Sequence, residues 1–260
     1  MRIRTVAALA GTAPLLVLSG ALGPPAAFAA DSGSTTLQAN LSPVPTNMVN
    51  GSGTATVTVT GDTLKVTIHA TGLDKTTMKG LPAHAQHIHI GGTNSCPVAS
   101  MASQHNGHTA LSVTDGMPAY GAIQVSLTTT GDTSPNSALA LPRFPTTPTG
   151  TEDYSRSITV NSDVAQQVAA GKGVVVIHGI DYLHNGSYKD LGPSELNPSL
   201  PLEGTAPALC GQLAVMPSGG VATGVGNGGS GTEALLGLGA AAVVAAGGVL
   251  IYRRRFAHSS

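Results

Sequence analysis

The sequence predicts an all-β fold, a Greek-key β-sandwich of about eight short strands, and three observations carry that prediction. Apolar and polar residues alternate with period two over several short runs, and Gly, Pro, Asn and Asp cluster between the runs. Only one stretch of the central region has helical spacing. Strict alternation places one side of a strand on a core and the other in water, whereas a helix would scatter the same residues around its axis.

The strands read in order. TTLQANL (35–41) is the first. TATVTVT (54–60) alternates Thr with Ala55, Val57 and Val59, and TLKVTIHA (63–70) sets Leu64, Val66 and Ile68 against Lys65, Thr67 and His69. Gly61-Asp62 joins these two as a β-hairpin with one face on a core. The others are QHIHI (86–90), YGAIQVSLTT (120–129), YSRSITV (154–160), VVVIHG (174–179) and ALCGQLAV (208–215). The single expected helix is SDVAQQVAAGK, with Ser162 as N-cap, Asp163 in the first turn, Val164 and Val168 four apart, and Gly171 as the stop. TSPNSALALPRFPTTPTGTED (133–153) is too rich in Pro and Thr to pair and reads as a loop.

The ends set the compartment. Residues 1–29 open with two arginines and an apolar run and close on Ala27 and Ala29, the spacing of a signal-peptidase site. Residues 234–252 are uninterrupted and apolar, long enough for a membrane helix of ~20 residues, and Arg253, Arg254 and Arg255 follow directly in a basic tail, 253–260, that stays in the cytoplasm. The competing readings are a buried core helix and an uncleaved N-terminal anchor. The expected organisation is a signal peptide, an ectodomain over 30–216, a Gly-rich linker over 217–233, the membrane helix and the tail. The protein is then exported by the general pathway and anchored in the cell membrane with its domain outside. Covalent wall attachment is the lesser alternative: Pro217 and Thr223-Gly224 are present, but not at the spacing of an LPxTG signal.

The central region carries Lys or Arg at 65, 75, 79, 143, 156, 172 and 189 against twelve Asp and Glu from Asp31 to Glu203. That acidic balance gives no reason to expect a nucleic-acid partner. Cys96 and Cys210 are the only cysteines. Outside the cell an even pair reads as a disulfide, with a free metal-binding thiol as the alternative.

Residues 84–96, HAQHIHIGGTNSC, hold three histidines. On a strand His87 and His89 share a face, roughly 7 Å apart at Cα, while Ile88 and Ile90 face the core. His178 ends a run of four β-branched residues, as expected of a buried central strand delivering one polar side chain. Three imidazoles make a copper or zinc set, and His84, His105, His108 or solvent could supply a fourth ligand. The bland alternative is a solvated strand face for His87 and His89, with His178 satisfied by a backbone carbonyl. His69 and His184 read as surface residues. QHNGH (104–108) reads as an exposed loop; with Asp115 it has the outline of a calcium loop, but Gln104, Asn106 and His108 stand where carboxylates are needed. No Ser/His/Asp order, phosphate loop or nucleophile elbow is present.

ATVTVTGDTLKVTIHATGL, HAQHIHIGG, VAQQVAAGKGVVVIHG and LCGQL, in that order, resemble the chordin-type (CHRD) domain over about residues 34–215. That domain is in turn similar to copper/zinc superoxide dismutase, a Greek-key sandwich. The resemblance implies copper ligands at His87, His89 and His178, and a structural disulfide between Cys96 and Cys210. Only His105 or His108 could stand in for the enzyme's bridging histidine. Two departures stand out. The arginine that orients superoxide in the enzyme is Pro207 here, and the zinc loop has no clear counterpart. The expected function is a membrane-tethered, non-catalytic extracellular module that binds a metal ion or a surface partner; the alternative is a copper-dependent dismutase-like enzyme.

Overall fold

The computed structural model describes residues 33–75 and 84–217. Each of the eight expected strands forms: β1 (Thr35–Pro43), β2 (Ser52–Thr60), β3 (Thr63–Thr71), β4 (Gln86–Gly91), β7 (Gly121–Ser126), β8 (Thr151–Thr159), β9 (Val174–His178) and β10 (Pro207–Gln212). Three more are short: β5 (Ser103–His105), β6 (His108–Ala110) and β11 (Ala214–Val215). The helices are α1 (Val113–Tyr120), α2 (Ser162–Ala169) and α3 (Leu202–Thr205). No helix among the described residues is long and apolar enough to cross a membrane. The expected signal peptide, the membrane helix over 234–252, the basic tail and all but the first residue of the linker lie outside the described residues.

All named pairings are antiparallel, in the order β7-β4-β9-β10-β1-β2-β3-β8, with β11 on β1. The sheet curls, because strands from both ends of this order meet in one apolar cluster. Leu37 and Leu41 of β1, Val57 of β2, Leu64 of β3, Ile88 of β4 and Ile177 of β9 all belong to it. The β2-β3 hairpin has the register its alternation requires, Val57 opposite Val66 and Ala55 opposite Ile68, and Gly61 turns it with φ 54°.

β9 explains its own composition. Val175 and Ile177 enter the main cluster, while Val174 and Val176 pack on the other face with Leu111, Tyr120 and Cys210. A strand covered on both faces has no polar side to alternate with, so it reads as a continuous apolar run. Residues 110–144 supply much of that second cover, and this is where the structure departs most from the expectations.

The QHNGH stretch is not an open loop. Asn106 and Gly107 both take positive φ, 50° and 85°, and close the β5-β6 hairpin. α1 is a second helix where none was expected. Its Ser112 side chain accepts from the Asp115 N–H, and the Asp115 carboxylate accepts from the Ser112 N–H, so Asp115 belongs to a capping box and not to a calcium loop. On α2 the cap is Asn161, whose side-chain oxygen accepts from the Val164 N–H; Ser162 is the first helical residue. β8 starts at Thr151, so the expected loop gives its last three residues to the sheet. The final expected strand divides into β10 and β11 because Leu213 leaves the ladder and donates to the Gly173 carbonyl. Buried Asn47 donates to the Leu111 and Pro207 carbonyls and accepts from the Leu111 N–H, tying β1's following turn to β10 and to the approach of α1.

Glu152 points inward from β8 and is 2 % exposed. Gln86 is the polar side chain beside it, and neither carboxyl oxygen has a hydrogen bond of good geometry among the described residues. Burial pushes the Glu152 pKa up to about 8, so the group is a neutral acid at physiological pH. Because the folded pKa is raised above the unfolded one, stability is full below the unfolded carboxyl range and falls as pH rises toward 8. Glu152→Gln is expected to flatten that decline and to raise stability at pH 7 by about 2 kcal/mol. Urea melts at pH 5 and pH 8 check this; equal wild-type stability at the two values would contradict it.

Candidate metal centre

His87 and His89 lie on β4 with their rings on the face away from the main core, and His178 ends the neighbouring strand β9, where it pairs with Pro207 of β10. The alternation that sends Ile88 and Ile90 into the core therefore sends both imidazoles toward His178. Ring centroids are 5.1 Å apart for His87 and His178, and 5.7 Å for the other two pairs. One nitrogen from each ring can be chosen so that all three lie within 4.8 Å of one another. Every member is buried, none more than 3 % exposed.

The hydrogen bonds decide which nitrogens face inward. His87 Nε2 donates to the Ala138 carbonyl at 3.1 Å, His89 Nδ1 to the Gly121 carbonyl at 2.9 Å, and His178 Nδ1 to the Thr205 carbonyl at 2.7 Å. A carbonyl can only accept, so each of these nitrogens carries the ring's proton. The remaining three, His87 Nδ1, His89 Nε2 and His178 Nε2, are buried without a hydrogen-bond partner among the described residues. Burial and the neighbouring imidazoles hold His87 well below its ordinary pKa. Burial and His178 bring His89 down to about 3, and burial brings His178 to about 4. These are neutral rings with free lone pairs.

Unpartnered buried polar atoms are rare because each costs the lost hydration of its group. Three such lone pairs, on rings that can each bring a nitrogen within 4.8 Å of the others, suit a shared cation, and the carbonyl bonds to the opposite nitrogens fix tautomer and orientation as outer partners of metal-bound histidines do. The residues fit copper or zinc. Aromatic neighbours keep the rings in place: Phe144 meets His87 edge-on at 5.3 Å, and Tyr120 meets His89 at 4.6 Å while its hydroxyl donates to the Val113 carbonyl. Gly116 leaves room for that tyrosine, because a Cβ there would lie 2.5 Å from the ring.

None of the three expected fourth ligands joins the group. His84 is buried with Nδ1 on the His178 carbonyl at 2.9 Å and Nε2 on the Asp74 carbonyl at 2.8 Å, so both ring nitrogens face backbone. His105 Nε2 lies 3.1 Å from Asp115 and 2.9 Å from Ser103 Oγ on the β5-β6 hairpin, and His108 stacks at a tilt on Tyr182. His69 and His184 are surface residues, with side chains 59 % and 52 % exposed. The cysteines form the Cys96–Cys210 disulfide, closing a separation of 114 residues, and leave no free thiol. This bridge joins the segment after β4 to β10, one strand from His178.

Beside His87 and His178 lies a cavity of about 20 Å³, walled by Ala85, Val113, Ile123, Leu139, Leu141 and Leu196. The carbonyls of Gly121, Ala138 and Thr205 and these walls are not legible in the sequence, because backbone acceptors and long-range neighbours leave no residue-type signature. Fold and site together define an antiparallel β protein with a buried three-imidazole centre. No family model matches the chain, and no curated protein matches it.

Proposed function

We propose that this chain is a CHRD-type extracellular module, exported and then tethered by its C-terminal apolar segment, that holds one copper or zinc ion on His87, His89 and His178 and is not itself a catalyst. The observation that carries the reading is a cluster of three buried imidazoles, each with one unpartnered nitrogen, that can bring a ligand atom apiece within 4.8 Å of one another. The strand order and the inward packing from both ends of the sheet support a Greek-key sandwich of the superoxide-dismutase kind. The membrane and an extracellular surface partner are its other expected contacts.

Metal analysis of the full chain, purified in detergent without added metal and then titrated, tests the reading. One equivalent of copper or zinc is expected, and no bound metal after titration would overturn it. The dismutase alternative is separable in the same preparation. Fast dismutation needs a positive charge to draw superoxide in, a gain of ~10 to 1,000-fold in on-rate, and the family's arginine position is Pro207, which also lacks an N–H donor. Little dismutase activity is expected from the copper-loaded protein; a near-diffusion-limited, salt-sensitive rate would instead make the chain an enzyme. Pro207→Arg is not a repair, because Pro207 is buried in β10 opposite His178, where a guanidinium would be an unpaired buried charge.

A further inference from the structure

The charge of the site decides which ion it can hold, and the walls decide what can reach that ion. All three ligands are neutral imidazoles, and the groups acting on them electrostatically are other histidines, with no carboxylate among them. The charge of a bound cation would therefore be the net charge of a buried centre. Burying an ion costs free energy that rises with the square of its charge, so a monovalent ion is strongly favoured over a divalent one unless an anion enters with the latter.

The cavity offers such an anion no Lys or Arg side chain. Its volume of about 20 Å³ admits one water-sized molecule. The walls contributed by Ala85, Val113, Ile123, Leu139, Leu141 and Leu196 present methyl and methylene groups, with no ammonium or guanidinium among the lining residues. The polar residues of the lining are His87, His178 and Thr205, and none of them supplies a positive charge to an anion. Leu139 and Leu196 are 39 % and 42 % exposed, so the apolar lining also reaches the surface. Nothing along that route concentrates negative charge.

Resting on the metal-centre reading above, we infer that the centre holds copper in its monovalent state and opens its free coordination position to a small uncharged molecule of diatomic size, with anions turned away. Three neutral nitrogen donors satisfy monovalent copper without a fourth protein ligand, which agrees with His84, His105 and His108 all being engaged elsewhere.

Carbon monoxide and azide are the probes, used on the full chain in detergent. The apo protein is titrated anaerobically with cuprous ion against a chromophoric chelator, and separately with zinc and cupric ion. Cuprous ion should bind one to one and resist exchange by zinc, and carbon monoxide should then give one narrow C–O stretching band that is lost in His178→Ala. Azide should leave the spectrum of the cupric form unchanged. In Leu139→Lys, which places an ammonium at the mouth on a partly exposed position, cuprous binding should persist while azide binding strengthens by about tenfold or more. Preferential zinc binding, or wild-type protein that binds azide and not carbon monoxide, would overturn the inference while leaving the metal centre standing. A chain that binds none of the three ions would remove both.

Discussion

His178→Ala is expected to lower affinity for copper or zinc by more than about 100-fold, because the loss of a direct ligand exceeds the 10–100-fold typical of its outer partners. The variant should still fold. The removed imidazole has an unpartnered Nε2 in an apolar setting, so truncation relieves a buried polar atom while it frees the Thr205 carbonyl, and these effects oppose each other. Alanine at His87 or His89 should act alike, whereas His69→Ala and His184→Ala, on exposed rings, should leave affinity unchanged. Chelator competition with a thermal melt of each variant distinguishes ligand loss from unfolding. Unchanged affinity in a folded His178→Ala would end the proposal that this residue is a ligand.

The pH dependence of that binding follows from the same burial. Ordinary histidines begin to lose metal to protons near their pKa of about 6.5. With His178 at about 4 and His89 at about 3, binding to the folded protein should hold to about pH 5 and fall below it. The apo protein behaves differently. Folded pKa values below the unfolded ones mean that the unfolded chain takes up protons first, so stability is full above about pH 6.5 and drains as pH falls through the interval down to 4 and 3. Metal should therefore protect about equally from neutral pH down to about pH 5 and lose its effect below that, and melts with and without metal across the range measure it.

Replacing both cysteines, Cys96→Ser with Cys210→Ser, is expected to lower stability by about 4–5 kcal/mol, the chain-entropy value for a closed loop of this size. The separation of 114 residues spans most of the described sheet, so the unfolded chain gains much freedom when the bridge is absent. For a chain of this length the corresponding fall in melting temperature is about 10–15 °C. Metal affinity should decline less than in His178→Ala, because the bridge positions strands and touches no ligand nitrogen. Non-reducing peptide mapping of the wild type must recover the Cys96–Cys210 pair; two free thiols would contradict the structure directly.

Much of this site was legible in the sequence because strand geometry is local. Period-two alternation placed His87 and His89 on one face and Ile88 and Ile90 on the other, and a run of β-branched residues marked β9 as buried with His178 at its end. The misses have local causes too. Asn106-Gly107 is a hairpin signal and Ser112 to Asp115 a capping box, and both overlap residues spaced like the ligands of a calcium loop. α1 holds its fold around an internal Pro118 through its capping box and the packing of Tyr120.

The sequence by itself determined the eight main strands, the pairing partners of the β2-β3 hairpin, the two exposed histidines and the three that could share an ion, since each depends on side-chain period or on residue type. Only the tertiary structure decided that His84, His105 and His108 are engaged elsewhere, that three carbonyls from distant segments set the tautomers, and that the space beside the rings is small and apolar. Those properties depend on which backbone atoms and side chains meet across 27 or more residues of chain, as Gly121 meets His89 and Thr205 meets His178. Such meetings are fixed by the folding of the whole sheet around one core, and no local pattern of residues encodes them.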